Sequence, residues 1–117
     1  MEEAMIKVYH NPKCRKSREG LKYLQDKGVD FKVVNYIKDG ITEKELSEIV
    51  LKLNVKPADI VRKQEDIYRK ELKGKKFTDS EWIKILVENP RLLQRPIVIA
   101  RHKAVIAQPP EKADELL

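Results

Sequence analysis

One cysteine, Cys14, stands in the polar run His10-Asn11-Pro12-Lys13-Cys14-Arg15-Lys16-Ser17-Arg18. Thiol reactivity belongs to the thiolate, and cations, donors and a helix N-terminus all favour that form. His10, Lys13, Arg15, Lys16 and Arg18 provide cationic or donor character around the sulfur. The segment therefore points to a nucleophilic or redox-active thiol. Free cysteines are also common in protein cores, but flanks this polar speak against burial.

Spacing narrows the chemistry. A phosphatase loop of Cys, five residues, then Arg requires arginine at position 20, where Gly20 stands. A two-cysteine redox motif requires a second cysteine where Ser17 stands, so an oxidised Cys14 must be resolved by an external thiol. A papain-like nucleophile needs a histidine with a third orienting group, and His10, across a loop, is the one histidine near in sequence. Cys14, His10 and His102 together leave a sulfur- and nitrogen-rich zinc site one ligand short, so no metal is expected. His102, in a hairpin turn, reads as a surface residue.

Arg15 and Lys16 break a local rule. Cations in the first turn of a helix oppose its macrodipole by about 0.3–1 kcal/mol each at exposed sites. A bound anion or a thiolate relieves that conflict, whereas side chains turned into solvent merely tolerate it.

The elements that must position this loop are legible from pattern. Residues 5–9, with Ile6 and Val8 on one face, read as a first strand, and the loop to Cys14 follows. Leu21, Tyr23 and Leu24 suggest a helix from about Arg15 to Asp26, stopped by Gly28. Residues 31–36 are rich in β-branched and aromatic types and read as a second strand, which completes a βαβ unit. Thr42 with Glu45, and Thr78 with Glu81, form capping boxes, with Ile41/Leu46 and Phe77/Trp82 as staples across them. Leu46, Ile49, Val50 and Leu53 make the apolar stripe of the first of these helices; Trp82, Ile85 and Leu86 that of the second, which Asn89-Pro90 ends. Shorter helical pieces are expected over residues 57–72. Residues 97–100 and 104–107 read as two strands joined by Arg101-His102-Lys103, and Pro110 starts a short last helix. A βαβ start, a helical middle and a closing hairpin plus helix is the order of an α/β, thioredoxin-like fold. It has a small mixed sheet and a helical insertion over about residues 40–92.

With 117 residues, one domain is the expectation. No apolar run approaches the roughly 18 residues of a membrane span. The N-terminal residues lack a basic start, a long apolar stretch and a small-residue cleavage site, so a cytoplasmic protein is expected. The 25 Lys and Arg exceed the 19 Asp and Glu by 6, and the excess gathers in residues 10–27, 56–76 and 91–108. If the fold brings these stretches together they form an anion site. Aromatic residues are only 6% of the chain and no nucleic-acid recognition motif appears, so a nucleic-acid partner is not expected.

The loop from Tyr9 to Arg18 resembles the active-site loop of the glutaredoxin-coupled arsenate reductase family. The similarity continues in order through Val61-Arg62-Lys63, Phe77-Thr78-Asp79, Asn89-Pro90, Gln94-Arg95-Pro96-Ile97-Val98 and Pro109-Pro110-Glu111. The resemblance implies a thioredoxin-like fold with an extra helical region. It implies that Cys14 attacks the arsenic of arsenate, that glutathione adds to the adduct, and that glutaredoxin removes glutathione so that arsenite leaves. No bound cofactor is implied; glutathione is a co-substrate. His10 would help hold Cys14 as thiolate, Arg62 and Arg95 would grip the oxyanion, and Ser17 and Arg18 would complete the cradle. Pro96 would be the cis-proline facing the cysteine. Arginine's planar donor fork suits a tetrahedral oxyanion.

One position departs from the family pattern. Gln108 stands where these reductases usually carry a third anion-binding arginine. An amide donates hydrogen bonds but brings no charge, which removes a charge-assisted contact of about 1.5–3 kcal/mol. The departure keeps open a thiol oxidoreductase acting on a glutathione mixed disulfide or another oxyanion. Relatives that are redox-sensitive transcription regulators binding RNA polymerase usually carry the Cys-x-x-Cys switch that Ser17 removes here.

Overall fold

The computed structural model describes residues 6–117. Strand β1 (Ile6–Tyr9) runs into the cysteine loop, and helix α1 (Arg15–Asp26) returns the chain to strand β2 (Phe31–Val34), which pairs with β1 in parallel. Parallel neighbours require such a crossover, so α1 must cross a face of the sheet. Gly28 ends this crossover, with φ +71° just after the helical C-cap Lys27. Two further strands, β3 (Ile97–Ile99) and β4 (Ala104–Ile106), form an antiparallel hairpin. β3 also pairs antiparallel with β1, giving the order β2-β1-β3-β4. Together with α1 and a 3-10 helix, Pro110–Leu116, this makes the α/β mixed-sheet arrangement expected of a thioredoxin-like fold.

The sheet-bearing unit comprises residues 6–39 and 95–117. Its core consists of Ile6, Val8, Leu24, Val98, Val105, Ala107 and Ala113, against which Leu21, Val29, Phe31 and Leu116 pack. The last helix is tied to α1 on the outside: Tyr23 donates its hydroxyl to Asp114 at 2.8 Å, and Lys27 pairs with the same carboxylate.

The second unit is Gly40–Gln94. Helices α3 (Glu43–Leu53) and α4 (Asp79–Glu88) both begin at full capping boxes, Thr42 with Glu45 and Thr78 with Glu81. Each box satisfies N-terminal N–H groups that would otherwise lack partners. Phe77 meets Trp82 edge-on, with ring centroids 4.9 Å apart. Between these helices lie a 3-10 helix, Pro57–Ile60, and one π-type turn, Tyr68–Leu72. A single antiparallel bridge joins Val61 to Leu93.

Element limits differ from the expected ones in three places. Met5 lies outside the described residues. Residues 35 and 36 do not extend β2: the Asn35 side chain accepts the Lys38 N–H and starts a short helix, α2 (Tyr36–Asp39), where the aromatic Tyr36 is fully buried. The strands expected over 97–100 and 104–107 each stop one residue earlier. On α4 the buried apolar residues are Trp82, Ile83 and Leu86, with Ile85 only half-buried. No helix among the described residues is long and apolar enough to cross a membrane.

Candidate active site around Cys14

Cys14 is the N-cap of α1. Its backbone is extended (φ −95°, ψ 124°), its carbonyl accepts the Arg18 N–H, and its side chain makes no capping hydrogen bond. The sulfur is thus left free for chemistry at the positive end of a helix whose first turn contains no acid. The loop before it is built by Asn11, a buried residue whose side-chain oxygen accepts the Lys13 N–H while its carbonyl accepts the Cys14 N–H. This local turn fixes where the sulfur emerges.

Burial pushes the Cys14 thiol up, but the donors and the charge near it prevail. The N–H of Ser17, the guanidinium of Arg95 as donor and as charge, and the N–H of Lys16 together lower its pKa from the ordinary thiol value. The donors come from two places: the opening turn of α1 and the segment entering β3. Arg95 is itself buried, and taking a guanidinium out of water is costly unless acceptors or negative charge meet it. The Cys14 sulfur is such a partner.

His10 is buried beside this arrangement but its contact is with Ser17, whose Oγ lies 2.8 Å from Nδ1. Burial lowers the His10 pKa, its hydrogen bond to Ser17 opposes this, and the charge of Arg18 adds to the lowering. The ring is therefore kept neutral, and it supports Ser17, whose Oγ also accepts the Asn11 N–H at 3.0 Å. Ser17 thus has its hydroxyl committed to the loop, in the first turn of the helix that Cys14 caps.

The segment opposite Cys14 is held closely. The Arg95–Pro96 peptide is cis, as is Gln108–Pro109. Pro96 packs directly on α1 at Gly20, where a Cβ would come within 2.6 Å of the proline Cγ. Gly20 is thus required by close approach, a role that an isolated glycine inside a helical pattern signals. Behind it, the Ala107 N–H donates to the Pro96 carbonyl at 2.9 Å, and the Gln108 side-chain amide donates to the Arg95 carbonyl.

The remaining expected residues take other positions. Arg18 donates to the Pro12 carbonyl at 2.9 Å and braces the loop. The side chain of Arg15 is 86% exposed and only loosely paired with Glu19, so it relieves its conflict with the helix dipole by turning into solvent. Lys16 and Glu19 line a cleft of about 410 Å³ whose other wall is Ala107, Gln108, Pro109 and Pro110. Arg62 belongs to the second unit, where its guanidinium pairs with Glu65 at 2.5 Å and its N–H donates to the Leu92 carbonyl. His102 is exposed in the hairpin turn. Among the described residues, no group of three or more His, Cys, Asp and Glu is gathered as a metal site. Asn11 and Gly20 are the residues of the site that the sequence reading did not single out for it.

Comparison with known proteins gives a consistent result. Residues 9–116 match the model of the ArsC family. The uncharacterised Escherichia coli protein YfgD is 37% identical over 96% of this chain and 96% of its own. An arsenate reductase of Neisseria meningitidis is 33% identical over 96% of this chain and 97% of its own. The structure of an arsenate reductase from Vibrio cholerae superposes with a TM-score of 0.91 at 30% identity, covering 99% of this chain and all of the other.

Proposed function

The chain belongs to the ArsC family, and from that premise we propose that it is a cytoplasmic oxidoreductase that reduces arsenate to arsenite through the Cys14 thiolate, with glutathione and glutaredoxin as electron donors. What supports this reading is the placing of Cys14 as the N-cap of α1, whose first turn holds no acid, with its thiol pKa lowered by the main-chain N–H groups of Ser17 and Lys16 and by the buried Arg95 guanidinium. A lowered pKa enlarges the thiolate fraction, and the thiolate is the nucleophile. The same guanidinium and helix terminus suit an oxyanion brought against it.

In this reading Cys14 attacks arsenic and an oxide leaves as water. Glutathione then adds to the adduct, and a second oxygen leaves as water. Glutaredoxin's thiol takes the glutathione as a mixed disulfide, arsenic keeps the electron pair of the broken arsenic–sulfur bond, and water cleaves the Cys14–arsenic bond so that arsenite departs. Two thiols become one disulfide, and Cys14 returns as a thiol, which the lack of a second cysteine in the chain requires. A cytoplasmic site of action fits a thiol that must be kept reduced. We treat Gly40–Gln94 as a helical insertion within one thioredoxin-like domain.

The test is arsenite formation from arsenate by the purified protein with glutathione and glutaredoxin. Turnover that needs both, and stops when either is omitted, is the expected result. Turnover that runs equally well with thioredoxin alone would replace the donor. A second reading draws on Gln108, which adds no positive charge and whose amide is engaged with the main chain. In it the enzyme exchanges glutathione mixed disulfides, and the same assay yields thiol exchange without arsenite.

A further inference from the structure

Arg95 and Pro96 present two successive carbonyls, and two successive residues at the end of the closing hairpin bind them: Gln108 through its side-chain amide on Arg95, Ala107 through its N–H on Pro96. The Ala107 bond is main-chain and any residue but proline could make it. The Gln108 bond is specific to the side chain. Gln108 is itself held, since its N–H donates to the Ile106 carbonyl at 2.8 Å. From there a short path leads to the reacting atom, because the residue whose carbonyl Gln108 holds is buried and its guanidinium acts on the Cys14 thiol, favouring its ionised form.

We propose that Gln108 is a positioning residue that fixes the main chain of Arg95 and thereby the guanidinium beside Cys14, rather than a ligand of the substrate anion. The inference rests on the reading of Cys14 as the reacting thiolate. Its physical basis is that an amide donor spent on a carbonyl is not offered to an oxyanion, while the direction of a long side chain depends on the backbone that carries it. The Gln108 oxygen, an acceptor, brings no attraction for an anion. Position 108 therefore acts on the nucleophile and not on substrate affinity.

Gln108→Met keeps the length of the side chain and removes the donor. Titration of the Cys14 thiolate by its ultraviolet absorbance should show the ionised fraction at the wild-type midpoint falling roughly two- to fivefold, with the KM for arsenate little changed. A raised KM with an unmoved thiol titration would overturn the proposal, because Gln108 would then act on the anion. In an Arg95→Ala background, Gln108→Met should have no further effect on the thiol. Additive effects would show that Gln108 does not work through Arg95. If the variant does not fold, the wild-type protein still decides: a through-bond NMR coupling between the Gln108 side-chain nitrogen and the Arg95 carbonyl is expected, and its absence overturns the proposal. A wild-type thiol that ionises like a free one removes both the reading and this inference. A depressed one that Gln108→Met leaves unmoved removes the inference alone.

Discussion

The imidazole Nδ1 of His10 lies 2.8 Å from the hydroxyl oxygen of Ser17, and the main-chain N–H of Ser17 is among the groups that lower the Cys14 thiol pKa. His10 thus bears on the thiol through Ser17, as a neutral ring that supports the start of α1. Replacing it by alanine should leave the buried Ser17 hydroxyl short of a partner and cost about 1–3 kcal/mol of stability. Chemical denaturation measures that loss. A thiol titration should show only a small rise, since the Arg95 contact remains.

Acid should weaken the fold through the same residue. The folded pKa of His10 is lowered, chiefly by burial, so the unfolded chain takes up its proton first. This contribution to stability is full above the ordinary imidazole value of about 6.5. It declines as pH falls from there through the lower folded value. Cys14 has the same sign in a higher window: its share is full above the ordinary thiol value of about 8.5 and is lost as pH falls through its depressed one. Denaturation midpoints across pH should show the first decline, and His10→Asn should flatten it.

Arg95→Ala should raise the Cys14 thiol and slow its alkylation at neutral pH, because the guanidinium's hydrogen bond and charge are both lost. Alkylation rates measured against pH should differ between the proteins at neutral pH and converge once both thiols are fully ionised. Identical profiles would take Arg95 out of the site.

Gly20→Ala should be destabilising by about 1–3 kcal/mol, since the new methyl would meet the ring of Pro96 at 2.6 Å. The ring is rigid, so either α1 or the Arg95–Pro96 segment must shift. A lowered melting temperature together with a raised thiol is the expected pair of results.

Cys14→Ser should abolish arsenate reduction without loss of stability. Cys14 caps α1 with no side-chain hydrogen bond, and serine is among the preferred N-caps, worth about 0.5–2 kcal/mol over alanine where its hydroxyl bonds the helix. A variant that folds and still reduces arsenate would place the chemistry elsewhere.

How far the sequence foretold these features follows from the range of the interactions. Capping boxes such as Thr42 with Glu45, the stop at Gly28 and the apolar alternation of β1 are set by residues within a few positions, and each is found where the pattern placed it. Residues 35 and 36 misled because aromatic and β-branched types suit a strand, whereas the Asn35 side chain captured the Lys38 N–H. In the site, the polar loop at a helix start pointed to Cys14 without any help from the fold. What remained hidden were the non-local fits: Gly20 against Pro96, Arg95 against Cys14, and the Gln108 amide on a carbonyl rather than facing outward. The basic run at Arg15 and Lys16 invited an electrostatic role for both, but the Arg15 side chain turns into solvent.

The most direct measurement is the ionisation of Cys14 in the wild-type protein, followed by thiolate absorbance as pH is raised, with Cys14→Ser as the blank. Half-ionisation should come clearly below the value of about 8.5 for a free thiol. Half-ionisation at or above that value would mean that Ser17, Lys16 and Arg95 do not outweigh burial, and the proposed attack on arsenate would lose its activated nucleophile.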